Sequence, residues 1–344
     1  MGVNLRELIV KSTADFKTLS GKTIAIDAYN ALYQFLAIIR QPDGTPLKDN
    51  SGRITSHLSG LFYRTTKLVE MGIKVAYVFD GIPPTLKEVE IKRRAKVKAE
   101  ALVKYEKAIK EGKIDKARSY AQMTSKLKDY MPDDSKRLLT ELGVPWIQAP
   151  SEGEAQAAYL TMKGDAEYCG SQDYDSLLFG AKALVRNVTI SGRRKLPRKN
   201  VYVEVVPEIM KLEKVLTELD VTREQFIDIA MLIGTDFNPD GVKGIGPKTA
   251  LKLIKKKGSI EELLPELKDA TFPVEPRKIR EIFLCPKVTD NYKLEWKQPN
   301  INGVIDFLCN ERDFSEERVS RALKKMTDGI KEAKSKTTLE SWFG

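Results

Sequence analysis

Lys74-Val75-Ala76-Tyr77-Val78-Phe79-Asp80-Gly81-Ile82-Pro83-Pro84 reads as a strand that ends abruptly on a carboxylate. β-Branched and aromatic side chains predict the strand, and Gly81, Pro83 and Pro84 stop it. Thr23-Ile24-Ala25-Ile26-Asp27 repeats the pattern, and Tyr168-Cys169-Gly170-Ser171 leads into Asp173-Tyr174-Asp175. Helical patterns over 54–71, 134–142 and 154–163 alternate with these runs. The alternation predicts an α/β fold, a central and mostly parallel twisted sheet flanked by helices. Ligands of such sheets sit beyond the carboxyl ends of the strands. Asp27, Asp80, Asp173 and Asp175 are therefore expected to converge at one edge.

Three more acids join them. Glu152 and Glu154 open the helix that follows Pro150-Ser151, and Asp236 ends the apolar stretch 227–233. Helix capping or turn propensity accounts for any one of these acids alone. Seven carboxylates gathered at one sheet edge repel one another unless cations accompany them. Oxygen-only ligation suits Mg²⁺ or Mn²⁺. Two such ions roughly 4 Å apart are a recurrent device for phosphodiester cleavage.

Composition narrows the chemistry further. The chain has 344 residues, 42% of them hydrophobic, and 58 Lys plus Arg against 48 Asp plus Glu, a net charge of +10. No apolar run approaches the roughly 18 residues of a membrane span, and Met1-Gly2-Val3-Asn4-Leu5-Arg6 lacks a signal peptide's apolar stretch. Arg6 also stands where a myristoylation signal needs Ser or Thr. A cytoplasmic protein without membrane partners is expected. Cys169, Cys285 and Cys309 are too dispersed for a disulfide framework or a Cys-x-x-Cys site. With His57 the sole histidine, multi-histidine zinc sites fall away, while a Ser-His-Asp triad stays formally open.

The positive charge is concentrated. Residues 87–130 hold fourteen Lys or Arg against seven Asp or Glu, with helix-favouring composition broken only near Gly112. Two readings stand here, a solvated helical hairpin or a polyanion-binding surface. Residues 243–257 hold six lysines and no acid, and Arg193, Arg194, Lys195, Arg198 and Lys199 form a third patch at a hairpin tip. Three patches suit a polyanion that touches the protein at several places.

The ordered set of motifs resembles the archaeal flap endonucleases, structure-specific 5′ nucleases of replication and repair. Ile26-Asp27-Ala28-Tyr29-Asn30-Ala31-Leu32-Tyr33-Gln34-Phe35, Thr55-Ser56-His57-Leu58, and Val78 to Pro84 carry the likeness, with Ala149-Pro150-Ser151-Glu152-Gly153-Glu154-Ala155-Gln156 and Ser171-Gln172-Asp173-Tyr174-Asp175. Gly244-Ile245-Gly246-Pro247-Lys248-Thr249-Ala250, Glu295-Trp296-Lys297-Gln298-Pro299-Asn300 and Phe307-Leu308-Cys309 continue it in the family's order. The resemblance implies a PIN-like nuclease core with a helical arch and a helix-two-turn-helix element. It makes 1–330 one 5′-nuclease domain: an N-terminal region 1–105, an arch over about 85–131, and an internal region 120–258 whose helix-two-turn-helix covers about 228–258.

By the same likeness, Asp27, Asp80, Glu152 and Glu154 hold one Mg²⁺. Asp173, Asp175 and Asp236 hold the second, with Glu154 shared and Mn²⁺ able to substitute. Lys87 and Arg94 match the catalytic pair at the arch base, and seven residues of spacing puts them two helical turns apart on one face, extended by Lys98. Tyr33 matches the tyrosine that stacks on the base beside the scissile phosphate; a core aromatic is the other reading. Gly244, Gly246 and Lys248 match the grip on downstream duplex, where relatives bind K⁺. Thr55 and His57 lie where the family binds upstream duplex and a one-nucleotide 3′ flap, a structural histidine being the alternative. Removal of Met1 is expected to free Gly2, which in relatives packs near the active site.

The implied activity is 5′-flap endonuclease and 5′–3′ exonuclease cleavage of branched DNA, in Okazaki-fragment maturation and base excision repair. A related 5′ exonuclease or excision-repair nuclease, and a non-catalytic branched-DNA or clamp adaptor, are the alternatives. Residues 331–344 are expected to form a flexible tail on a monomer, and Leu339, Trp342 and Phe343 have the spacing of the peptide that binds the sliding clamp, proliferating cell nuclear antigen. Lys336 stands where that motif carries glutamine, which removes a polar contact. The absence of a basic extension favours an archaeal origin.

Overall fold

The computed structural model describes residues 2–190, 193–195, 202–267 and 270–343, without the side chains of 193–195, 202–203, 334 and 336–343. Among the described residues nine strands form: β1 (Ser12–Thr13), β2 (Thr23–Asp27), β3 (Lys74–Phe79), β4 (Trp146–Gln148), β5 (Tyr168–Gly170), β6 (Ala183–Arg186), β7 (Arg193–Lys195), β8 (Tyr202–Glu204) and β9 (Glu208–Lys211). Seven make one sheet in the order β1-β9-β6-β5-β2-β3-β4, and β7 pairs with β8 as a separate hairpin. From β6 through β4 all neighbours run parallel, with Ala25 opposite both Ala76 and Cys169. Antiparallel β9 and β1 close the other edge. The expected mostly parallel sheet is present, with a mixed margin.

Period-2 alternation decides which side chains face which layer. Ile24, Ile26, Val75, Tyr77 and Phe79 enter one buried cluster with Leu32, Phe35, Leu61 and Phe62. These last four come from α1 (Ala28–Ile38) and α2 (Ser56–Glu70). Ala25, Val78 and Cys169 face the opposite cluster, with Ala155, Ala158, Phe226 and Met231. Both faces are covered, so the strands are nearly continuous apolar runs, as parallel strands require.

The basic segment leaves this body as two helices, α3 (Glu88–Lys110) and α4 (Ile114–Met123). Gly112 turns between them at φ +66°, a conformation that suits glycine. Only Ala101 and Ala108 are buried along α3, while Val89, Val97, Leu102 and Val103 stay exposed. The chain returns through α5 (Tyr130–Glu141) to β4, then α6 (Gly153–Lys163). Helices Arg223–Ile233 and Pro247–Lys257 flank the loop that carries Asp236, and five of the six lysines of the second patch lie on the latter helix.

The last helix runs unbroken over Glu316–Phe343, since 331–343 contain neither proline nor glycine. Residues expected as a separate tail thus continue a helix whose earlier turns pack on α2: a Cβ added at Gly329 would lie 2.7 Å from Glu70 Cα. The side chains of Lys336, Leu339, Trp342 and Phe343 lie outside the described residues, as do Arg198 and Lys199. Among the described residues no helix is long and apolar enough to cross a membrane.

Candidate nuclease site

Each acid is delivered by the end of an element. Asp27 closes β2 and caps α1 by accepting from Asn30 N at 3.0 Å. Asp80 follows β3 and accepts from Gly153 N at 2.7 Å. That approach leaves no room for a side chain at 153, where a Cβ would stand 2.6 Å from Asp80 Oδ1. Glu152 stands at the N-cap position of α6 without a side-chain capping bond, and Glu154 lies in its first turn, where the helix N-terminus favours negative charge. Asp173 and Asp175 follow β5, and Asp236 sits after Gly234, whose φ is +114°.

The chain's first residues fold over this edge. Gly2 N donates to Asp173 Oδ1 at 2.9 Å and Val3 N to Asp175 Oδ1 at 2.8 Å. A Cβ at Gly2 would lie 2.5 Å from Asp175 Oδ1, so only glycine fits. Ser171 Oγ donates to Glu154 Oε1 at 2.7 Å, and Asn30 Nδ2 donates to Asp173 Oδ2 at 2.9 Å.

Burial and mutual repulsion govern the protonation of these groups. Asp27 is raised well above the ordinary carboxylate range by burial and by Asp80. Asp80 is pushed up to about 6 by burial and by Glu152. Asp175 is pushed up to about 7 by burial, then by Asp236 and Asp173. Glu154 rises for the same reasons, with Asp175 the largest charge acting on it. Acids forced up first by burial and then by one another form a site that gains from added positive charge.

Lys87 and Arg94 bring such charge from the turn before α3 and from its first turns. Lys87 ends a 3₁₀ turn, Thr85–Lys87, just before α3; its ammonium bonds Glu152 and lies 3.3 Å from Asp236 Oδ2. Arg94 pairs with Asp236 and reaches Glu90 Oε1 at 2.7 Å. Burial alone would lower Lys87, but Glu152 and Asp236 outweigh it and raise its pKa. The two cations draw in among the acids, and among the described residues no three carboxylates close around one point as a metal cage. The donor set nonetheless fits hard divalent ions: all ligand atoms are oxygens, in excess negative charge.

Beyond the acids, Lys98 Nζ stands 4.5 Å over the Tyr33 ring, which is 37% exposed. Tyr33 is therefore a surface aromatic. Thr55 and His57 are interior, at 4% and 0% exposure. Burial drops His57 to about 3, and neither ring nitrogen has a hydrogen-bond partner among the described residues. Gly244 adopts φ +82°, Gly246 caps helix Pro247–Lys257, and Lys248 projects outward with Glu7 Oε2 3.8 Å away. The reading from sequence missed the clasping donors Asn30 and Ser171; both stand within quoted motifs, but nothing in spacing assigns them a partner.

Known proteins share both sequence and fold with this chain. Residues 1–101 match the XPG N-terminal domain and 143–236 the XPG I-region. A flap endonuclease 1 from Staphylothermus marinus is 56% identical over 349 aligned positions, covering 100% of both chains. The solved flap endonuclease-1 from Methanococcus jannaschii is 42% identical with a TM-score of 0.76, over 96% of this chain and 99% of that one. The catalytic core of Rad2, solved with a DNA substrate, shares the fold at a TM-score of 0.66 and 24% identity, over 92% of this chain and 96% of that one.

Proposed function

The chain belongs to the flap endonuclease 1 family, and from that premise we infer that it is a structure-specific 5′-flap endonuclease with 5′–3′ exonuclease activity, acting in DNA replication and repair. The observation that carries the reading is the insertion of Lys87 and Arg94 among acids gathered at the strand ends. Asp27, Asp80, Glu152 and Glu154 would hold one divalent ion, and Asp173, Asp175 and Asp236 the second, with Glu154 shared. When bound, Mg²⁺ or Mn²⁺ supplies activation of water and neutralisation of charge on the phosphate.

The remaining work falls to the chain itself. Lys87 and Arg94 clamp the scissile phosphate and stabilise charge that develops on it. Tyr33 stacks on the neighbouring base, a contact indifferent to base identity. The α3–α4 arch passes the unpaired flap and excludes duplex, with Lys98 on its path. The loop at Gly244 and the helix N-terminus at Gly246, with Lys248, bind downstream duplex through its phosphates, and this loop would be the place for a K⁺ ion that neutralises phosphate charge. Thr55, being buried, shapes the upstream-duplex surface from beneath. Residues 336–343 engage the sliding clamp, and the enzyme works as a cytoplasmic monomer.

A labelled 5′-flap duplex with Mg²⁺, beside an EDTA control, tests the reading. The expected product is the released flap, cut at the junction and leaving a 3′-hydroxyl nick. No Mg²⁺-dependent cleavage across varied salt and temperature would overturn it.

A further inference from the structure

Asn30 touches both halves of the acid cluster. Its backbone N–H donates to Asp27 Oδ1 at 3.0 Å, while its side-chain Nδ2 donates to Asp173 Oδ2 at 2.9 Å. Its Oδ1 in turn accepts from Gln172 N at 3.2 Å. Asp27 ends β2 and Asp173 follows β5, so one residue on the first turn of α1 ties together acids from two adjacent strands.

The chemistry of the position is narrow. One side of the amide faces a carboxylate and must donate; the other faces a backbone N–H and must accept. A neutral amide meets both demands. Aspartate would set a carboxylate against Asp173, and an aliphatic side chain would answer neither partner. With Gly2 N on its other oxygen, Asp173 has both oxygens engaged, so its orientation is fixed before any ligand arrives.

We propose that Asn30 is a positioning residue that sets the Asp173 carboxylate relative to Asp27 and thereby tunes divalent-ion affinity. The inference rests on the reading of these acids as metal ligands. Groups that orient ligands from outside commonly change metal affinity or activity about 10- to 100-fold when removed.

The test uses the full chain with Asn30→Leu, close in volume, and Asn30→Ala as a second variant in case the first does not fold. Mn²⁺ binding without DNA is measured by the loss of the free-ion electron paramagnetic resonance signal. Flap cleavage is followed in parallel as a function of Mg²⁺ concentration. The expected result is Mn²⁺ affinity weakened about 10-fold or more, with Mg²⁺ half-saturation raised and much of the maximal rate regained at high Mg²⁺. A merely structural role would lower the active fraction without moving half-saturation, and that outcome would overturn the proposal. Unchanged Mn²⁺ affinity in a folded variant would overturn it alone. Wild-type protein that bound no Mn²⁺ would overturn the metal reading itself and this inference with it.

Discussion

Lys87 Nζ lies 3.3 Å from Asp236 Oδ2 and bonds Glu152 as well, so one ammonium from the turn before α3 joins acids from two separate segments. Its side chain is only 16% exposed, and the two acids 11% and 14%. Such a cation fits a phosphate-clamping role once DNA supplies a competing anion. Lys87→Ala is expected to slow single-turnover cleavage about 10²- to 10³-fold while leaving flap-DNA affinity within a few-fold. Quench-flow rates beside equilibrium binding separate the two; equal losses in both would refute the clamp role.

Asp80 gives a prediction on stability. Its folded pKa, near 6, exceeds the ordinary value of 3.8, so the folded state holds the proton more tightly than the unfolded state. Ionising Asp80 therefore costs stability as pH rises from about 4 through 6, and the cost is complete above that range. Asp80→Asn keeps an oxygen able to accept from Gly153 N and removes the charge. Without metal, the variant should melt higher than wild type at pH 8, and the gap should close toward pH 4. Thermal melts in EDTA across that range decide it; a gap independent of pH contradicts the account. Cleavage should be abolished at every pH.

Much of this was legible from residues alone, and the limits have physical causes. Asp27 and Asp80 were readable because a β-branched run ending in an acid and a chain breaker has few other meanings in an α/β pattern. Gly112 marked the turn between α3 and α4 for a similarly local reason. Contacts between segments far apart in sequence left no periodic trace: Asn30 with Asp173, Gly2 with Asp173, and Lys87 with Asp236. The sequence placed Lys87 on the face of one helix with Arg94, whereas it ends a 3₁₀ turn before that helix. Both still reach Asp236, because the turn feeds directly into α3. His57 was undecidable from sequence, since a histidine at a helix start suits solvent or core alike.

His57 now carries its own prediction. It is fully buried, and burial holds its pKa near 3 against an ordinary 6.5. The unfolded chain takes up a proton below about 6.5 that the folded chain refuses, so stability falls as pH drops from 6.5 toward 3. Each pH unit in that window amounts to about 1.4 kcal/mol. His57→Phe removes the proton uptake and fits beside the Tyr130 ring, whose centre lies 6.1 Å from the imidazole. Denaturant melts should show a shallower loss of stability for His57→Phe between pH 6.5 and 5. Parallel profiles for variant and wild type would mean that His57 is protonated in the folded state.

The clamp tail is tested by truncation. Because Glu316–Phe343 is one helix, a stop codon in place of Lys336 removes its end while keeping the turns that pack on α2. Basal flap cleavage should be unchanged, and stimulation by the sliding clamp should vanish. An equal fall in basal activity would assign residues 336–343 to the fold.

Tyr33 and Lys98 frame the last prediction. The Lys98 ammonium stands 4.5 Å over the Tyr33 ring, and burial together with Arg94 and Lys126 lowers its pKa. An ammonium on the ring face occupies the surface a base needs, so stacking requires Lys98 to swing toward the flap phosphates. Tyr33→Ala should weaken the productive complex by about 1–3 kcal/mol, equally for each of the four bases beside the junction. Tyr33→Phe should retain nearly all activity, because stacking uses the ring and not the hydroxyl. Lys98→Met frees the ring while removing a phosphate contact, so its KM should rise less steeply with added salt than the wild-type KM does. In practice, a smaller salt slope of KM for Lys98→Met than for wild type marks the lost phosphate contact. Base-dependent losses in Tyr33→Ala, or a Tyr33→Phe variant as impaired as Tyr33→Ala, would show that Tyr33 acts through something other than stacking.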